Sequence, residues 1–417
     1  MKTRTLIRLD LLVGFPLCTL AFVLTLPLRL LLRRAPAPPP DPRRVRRILV
    51  IKFLGMGSVL LATPLLRQLK AAYPGARITF LTFASNAELV RRLECVDEVC
   101  EVPRGRASAL LACVPSLLLR LRGARYDLAL DLEFYSRLSN LLSWASGAER
   151  RVGFFVRARW RGSLLTDSVY FNPTLPYGRA VLALLHPLGV RPWTSDRLVA
   201  PAVGMDEGAT ARARLETLGL PAQGSVVVVN VNASDLCDER RWPAERYARL
   251  VDRFQAEIAP VERFIFIGAP AEASVVRSVL DQVGPDARAA CLDLSGRTSL
   301  VELIVLLQRA VLLVTNDSGP LHLAAALGLP TVSLYGPETP ALYGPVGENH
   351  LVFYAGHWCS PCLSVYNAKI AMCHGENECM RRITLDEVVQ RTAVFCRERV
   401  GLAPPRPASR PGRGVAN

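Results

Sequence analysis

Apolar and polar positions along this chain fall into two recurring patterns: short continuous apolar runs, and longer stretches with apolar residues at helical spacing. The first run, 47–53 (RILVIKF), reads as a buried strand. A glycine turn at 54–58 leads from it into a helix over 59–72 with Pro64 in its first turns. The alternation continues with a strand at 77–83, a helix near 86–93, a strand near 98–102, a helix at 107–121, a strand at 127–132 and a helix at 136–146. Residues 153–221 are less regular and carry Pro173, Pro176, Pro187, Pro192 and Pro201, which marks the end of one domain and a linker. A second series then opens, with strands at 225–231, 263–267, 290–294, 311–314, 331–334 and 350–354. Its helices fall at 244–259, 271–283, 299–309, from 318 onward, and at 385–400. Strands separated by helices predict parallel sheets covered on both faces. The expected fold class is α/β, with two doubly wound Rossmann-like domains and a cleft between them.

Charge narrows the function. The 417 residues carry a formal +15, which points first to nucleic acid, but residues 1–47 hold ten Lys/Arg against two Asp and residues 402–417 add three Arg. Taking away those +8 and +3 leaves +4 on the globular part, so no nucleic-acid partner is expected. Residues 11–28 form an uncharged 18-residue apolar run, flanked by Lys2, Arg4 and Arg8 and by Arg29, Arg33 and Arg34. It is long enough to enter a bilayer and barely long enough to cross it upright, while Pro16 and Pro27 also permit a re-entrant segment. In either geometry the basic residues after the run keep the globular part on the cytoplasmic face of the membrane. The expected organisation is a membrane anchor or re-entrant segment at 1–34, a Pro-rich linker at 35–45, an N-terminal domain at 46–200 and a C-terminal domain at 222–400 with a Cys-rich segment at 357–380. A disordered tail follows at 401–417.

Candidate chemistry centres on 313–337, LVTNDSGPLHLAAALGLPTVSLYGP, which reads as strand, polar turn, short helix ended by Gly328, and strand. The N–H groups of Ser318, Gly319 and Leu321 open that helix, where the dipole also favours an anion; a phosphate is the natural guest. The turn bearing Gly55 and Gly57 also lies at a strand's carboxyl end, where ligands of such sheets bind, so the two turns are expected to face each other.

Five segments in order, ILVIKFLGMGSVLLATPLLRQLKAAYPGARITFL, RYDLALDLE, RRVGF, RRWPAERYARL and the 313–337 stretch, resemble glycosyltransferase family 9, the heptosyltransferase-like enzymes that elongate lipopolysaccharide cores. The resemblance covers about residues 46–390. It implies the two-domain GT-B fold and an inverting glycosyltransferase at the cytoplasmic face of the inner membrane. The implied partners are a nucleotide-diphosphate sugar, ADP-heptose-like, held by the C-terminal domain, and a lipid-linked glycan acceptor held by the N-terminal one. No cofactor is required for transfer. Arg240, two before Trp242, stands where the family carries a phosphate-binding Lys; an Arg keeps the charge and gains bidentate geometry. Asn232 and Ser234 are implied donor contacts or ordinary turn residues, and Gly268 and Glu272 fall on the loop that holds the nucleoside. Asp317, Ser318, Gly319 and Leu321 form the diphosphate turn, and His322 either donates to the phosphate or is packed.

The chain departs from the family at Ser58, where the heptosyltransferases carry the Asp that takes the acceptor proton. A serine hydroxyl cannot hold that proton. Another carboxylate serves, a weak base suffices, or transfer is lost; Glu133, ending the strand at 127–132, is the expected substitute base. Loss of transfer would leave a catalytically silent nucleotide-sugar-binding scaffold. A nucleotide-sugar epimerase is disfavoured by the apolar run, since a soluble substrate needs no anchor. Finally, Cys359, Cys362, Cys373 and Cys379 stand apart from the scattered core cysteines. They form either a structural zinc knot or a reduced, packed loop.

Overall fold

The computed structural model describes residues 5, 9–31, 38–103, 107–157, 160–191, 195–233, 237–259, 261–364, 371, 373 and 376–402. Ser234, part of the linker and most of the expected tail lie outside them. Two six-stranded parallel sheets carry the fold. The first is built from β1 Arg47–Ile51, β2 Arg77–Phe83, β3 Glu98–Val102, β4 Leu128–Asp131, β5 Arg150–Phe155 and β6 Asp167–Tyr170, in the order β3-β2-β1-β4-β5-β6. The second comprises β7 Val226–Asn230, β8 Arg263–Phe266, β9 Cys291–Asp293, β10 Leu312–Asn316, β11 Thr331–Tyr335 and β12 His350–Tyr354, in the order β12-β11-β10-β7-β8-β9. In each sheet the central strands are buried apart from Arg47 at the start of β1, which is why their sequences read as apolar runs. The strand order reverses between β1 and β4 in one sheet and between β7 and β10 in the other. Those two switch points are where a doubly wound sheet opens a crevice for ligand.

The stretch expected to be irregular is the main departure. Residues 153–221 contain β6 and the helices Tyr177–Leu182 and Met205–Thr217. Strand β6 is a half-exposed edge (DSVY), and Met205–Thr217 buries only Ala211 and Leu215, so neither shows a strong apolar period. The latter helix packs on Leu300–Arg309, with an Arg214–Glu302 ion pair at 3.0 Å. The predicted single helix at 59–72 is two, Met56–Leu61 and Thr63–Ala72, broken at Ala62 with Pro64 in the first turn of the second.

The halves touch where their switch points meet. Helix Met56–Leu61 packs against helix Gly319–Leu327. The approach is close enough that a Cβ at Gly57 would overlap the His322 ring and one at Gly319 would sit 2.6 Å from Met56 Cε. Beside this contact the rings of Tyr177 and Tyr343 stack at 5.5 Å. At the other end of the chain a π-helical turn, Asp10–Gly14, runs into helix Phe15–Leu31, which lies along helix Arg137–Ala145.

Candidate functional site

The first switch point is held by a buried ion pair. Lys52 Nζ, just past β1, donates to Glu133 Oε1 at 2.9 Å, and the same oxygen accepts from the N–H groups of Phe53 (2.9 Å) and Leu54 (3.2 Å). Burial by itself would raise the Glu133 carboxyl, but the Lys52 charge and these bonds prevail and hold it below the usual range. Glu133 therefore braces the backbone that leads into Gly55, whose φ of +84° suits glycine and whose Cβ would come 2.7 Å from Ser58 Oγ. Ser58 Oγ donates to Leu54 O (2.8 Å) and Gly55 O (2.9 Å), back into its own helix. Beneath Glu133, Asp131 accepts from Ser139 Oγ at 2.9 Å and pairs with Arg161. Burial still raises Asp131 to about 6, outweighing the Arg161 attraction.

The second switch point is a polar lattice. Asn230 Nδ2 donates to Thr315 Oγ1 (3.1 Å) and Ser318 Oγ (3.0 Å), and these two hydroxyls are 2.8 Å apart. Asn316 Oδ1 accepts from Trp242 N (3.1 Å) and Tyr247 Oη (3.0 Å), while its amide reaches Val231 O at 3.0 Å. The lattice fixes the Asn316–Ser318 turn and seats Arg240, whose guanidinium pairs with Asp317 Oδ2 at 3.1 Å and also donates to the Asp317 carbonyl. Both side chains are buried. Two further buried atoms at this turn, His322 Nδ1 and Asn232 Oδ1, lack a hydrogen-bond partner among the described residues. Buried polar groups normally find partners, so orphaned ones beside a helix N-terminus and a buried guanidinium suit a polar, anionic guest.

The sequence model of glycosyltransferase family 9 (heptosyltransferase) matches residues 114–370. The chain belongs to that family. It is 28% identical over 307 residues to lipopolysaccharide heptosyltransferase 2 of Escherichia coli K12, an alignment covering 72% of this chain and 86% of that one. In solved structures it resembles E. coli ADP-heptose lps heptosyltransferase II, with a TM-score of 0.67 at 24% identity over 84% of this chain and 98% of the other. The family 9 glycosyltransferase of Veillonella parvula DSM 2008 superposes with a TM-score of 0.68 at 23% identity, over 85% and 97%. These structures carry the fold, and the family carries glycosyltransferase activity.

In this family 9 enzyme the structure gathers Asn232, Arg240, Asp317, Ser318, Gly319, Leu321 and His322 at one switch point and Gly55, Gly57, Ser58 and Glu133 at the other. Gly268 borders the first group, since a Cβ there would sit 2.6 Å from Asn232 Nδ2. Glu272 Oε2 accepts from Ala269 N at 2.8 Å and so closes the loop after β8 on itself. Sequence reasoning missed Lys52, Asn230, Thr315 and Asn316. The signal for them was weak, a polar residue at the carboxyl end of an apolar run.

For the Cys-rich segment the sequence leaves a zinc knot and a packed loop open. Burial pushes the Cys379 thiol up to about 12, and Cys362, Cys373 and Cys359 raise it further, so the four share a neighbourhood. Yet among the described residues no group of three or more His, Cys, Asp or Glu is arranged to hold a metal ion. Cys359 is exposed, and Cys362 and Cys373 pack against Cys237, Leu363 and Ala371 instead. The segment also ties down the loops around Arg240 and Pro337. Asn377 Nδ2 donates to Glu239 O (3.3 Å) and Arg241 O (2.9 Å) on either side of Arg240, and Leu363 N donates to Pro337 O at 2.9 Å.

His322 gives a pH prediction. Burial, helped by Arg240 and His350 against the opposing pull of Asp317, lowers it to about 4, so the ring is neutral at pH 7. An unfolded imidazole binds its proton near 6.5, so the folded state loses stability as pH falls from 6.5 toward 4. The thermal midpoint of His322→Gln should therefore fall less steeply than wild type between pH 6.5 and 5. Parallel slopes would show that His322 is protonated in the fold.

Proposed function

We propose that this enzyme moves heptose or a related sugar from an ADP-heptose-like donor to a lipid-linked cell-envelope glycan, with inversion, at the cytoplasmic face of the inner membrane. The names of its relatives support the sugar and the acceptor class. The observation that carries the reading is the second switch point, where a helix N-terminus, buried Arg240 and the open His322 nitrogen converge against helix Met56–Leu61 of the other half.

In the proposed reaction an acceptor hydroxyl attacks the anomeric carbon, a new C–O bond forms there, and the bond to the diphosphate breaks. Negative charge grows on the departing ADP. Arg240 and the N–H groups of Ser318, Gly319 and Leu321 offset it, and the interaction strengthens as the bond breaks. The hydroxyl proton goes to Glu133; the three bonds into that carboxylate all use Oε1, which points to Oε2 as the accepting atom. Ser58 takes no part, because its hydroxyl serves its own helix. The pull of Lys52 makes Glu133 a weak base, so the reading assigns most of the rate to leaving-group stabilisation. Asn232, Gly268 and Glu272 are proposed for the nucleoside.

A thermal-shift panel of nucleotide-diphosphate sugars tests the donor. At a hundred times its dissociation constant a ligand adds about 2.7 kcal/mol, so the true donor should stand out from other nucleotides. Stabilisation by ADP-sugars followed by release of ADP on addition of a lipid-linked glycan is the expected result. Binding without turnover on any acceptor would favour a silent scaffold, against the activity of the family.

A further inference from the structure

The apolar N-terminal helix is bolted to the acceptor-side half from Asp10 to Phe22. At its start, Asp10 reinforces the Ser136 cap of another helix. Its Oδ1 accepts from Ser136 Oγ (2.8 Å), Arg137 N (2.8 Å) and Leu138 N (2.9 Å), the first turn of Arg137–Ala145. A carboxylate at that position satisfies orphan N–H groups and complements the dipole. One turn on, Gly14 lets the backbones approach, since a Cβ there would lie 2.9 Å from Arg137 Cβ. Cys18 fits against Gly162 in the same way, again at 2.9 Å, and Ala21 completes a buried stripe at spacings of four and three. Further along, Phe22 meets the edge of Trp160 at 5.9 Å.

Among the described side chains of the helix, most of the remaining surface is apolar and exposed. Leu12, Leu20 and Leu24 are 71%, 56% and 68% exposed in a window, Asp10–Pro27, whose mean hydropathy is 1.8. The same half exposes a second apolar pair. Tyr170 (77% exposed) and Phe155 cross edge-on at 5.3 Å at the carboxyl ends of β6 and β5, the sheet end from which the Trp160 segment departs. Exposed aromatic residues on the same half as a long apolar surface, with Lys2, Arg4, Arg8, Arg29, Arg33 and Arg34 flanking it in sequence, are what a headgroup layer containing anionic lipid receives.

We infer that the helix lies in the plane of the membrane as one wall of the acceptor-side half, so that Asp10 and the globular part are on the same side of the bilayer. This rests on the reading above that the enzyme works at a membrane. A spanning helix would carry Asp10 away from Arg137–Ala145 and leave the N–H groups of Arg137 and Leu138 without that carboxylate, although the Ser136 cap would remain. The docked arrangement instead brings lipid next to the Glu133–Ser136 loop at the end of β4. A lipid-linked acceptor can then present its glycan to the cleft without leaving the bilayer.

The test uses the full chain with an N-terminal peptide tag, expressed in bacteria. In inverted inner-membrane vesicles, added protease should remove the tag together with the globular part; a tag protected while the globular part is digested would overturn the in-plane placement. In flotation with phosphatidylethanolamine/phosphatidylglycerol vesicles, Leu12→Glu/Leu20→Glu/Leu24→Glu should lose flotation, and Phe155→Ser/Tyr170→Ser should bind more weakly. All of these positions are exposed, so an unchanged thermal midpoint is expected and checks folding. Flotation of both variants like wild type would overturn the proposed lipid face. Failure of the wild type to float would remove the membrane reading itself, while leaving ADP release, which needs no vesicle, to judge transfer separately.

Discussion

Glu133→Gln is expected to lower the thermal midpoint sharply as well as to stop transfer. The substitution leaves the Lys52 ammonium, 4% exposed, without its counter-charge. Breaking such a buried pair costs about 3–5 kcal/mol, because the remaining ion keeps its desolvation penalty. The pair also sets a pH dependence. The folded carboxyl lies below its unfolded value of 4.5, so its stabilisation is fully present above that pH and is lost as the pH falls through the folded value. Loss of activity in the single variant therefore mixes a missing base with a loosened Phe53–Gly55 backbone. The double variant Lys52→Met/Glu133→Gln separates them, since replacing both partners by neutral groups of similar shape restores most of the stability. If Glu133 takes the acceptor proton, the double variant folds near wild-type stability and its kcat falls by about 10²–10⁴. Near-normal kcat in that protein would show that Glu133 is a brace only and that transfer proceeds without a carboxylate at this position.

Arg240→Met carries the second large effect, a fall in kcat of about 10²–10³, the scale seen when one preorganised donor to developing charge is removed. Donor affinity should fall too, for a reason specific to this site. Arg240 and Asp317 are paired at 3.1 Å, and without the guanidinium the Asp317 carboxylate faces the incoming diphosphate alone. Arg240→Met/Asp317→Asn should then recover donor binding, read as KM or by thermal shift, without recovering kcat. That split assigns the rate to charge on the leaving group. A normal kcat in Arg240→Met would remove Arg240 from the reaction.

How much of this was legible in the sequence differs between the two switch points. The turn at 315–319 was readable because its cues are local. Pro320 and Gly328 bracket the helix, Gly328 takes φ +77° at its end, and the N–H groups that open it follow directly from the chain direction. The position of Arg240 came from its spacing to Trp242, and the structure adds why the spacing matters: Trp242 N and Arg240 are tied to the successive residues Asn316 and Asp317. Glu133 was visible as the carboxylate at a strand end. Its partner was not, because Lys52 and Glu133 are 81 positions apart and meet only through the pairing of β1 with β4. The cysteine spacing left a zinc knot and a packed loop both open, and it could not show that Cys362 and Cys373 pack against the cluster around Cys237, a residue more than a hundred positions away in sequence.

The sequence by itself determined the elements and their order, because apolar period, glycine and proline act within a few residues. It also determined the family, the strand-turn-helix at 313–328 and the apolar N-terminal run. Tertiary structure alone decided that Glu133 is held by Lys52 and that the N-terminal helix lies against Arg137–Ala145, with Asp10 reinforcing the Ser136 cap of that helix. Each of these depends on a polar group finding its partner across the sheet or between distant segments. The strength of such contacts lies in burial and geometry, which a one-dimensional pattern does not carry.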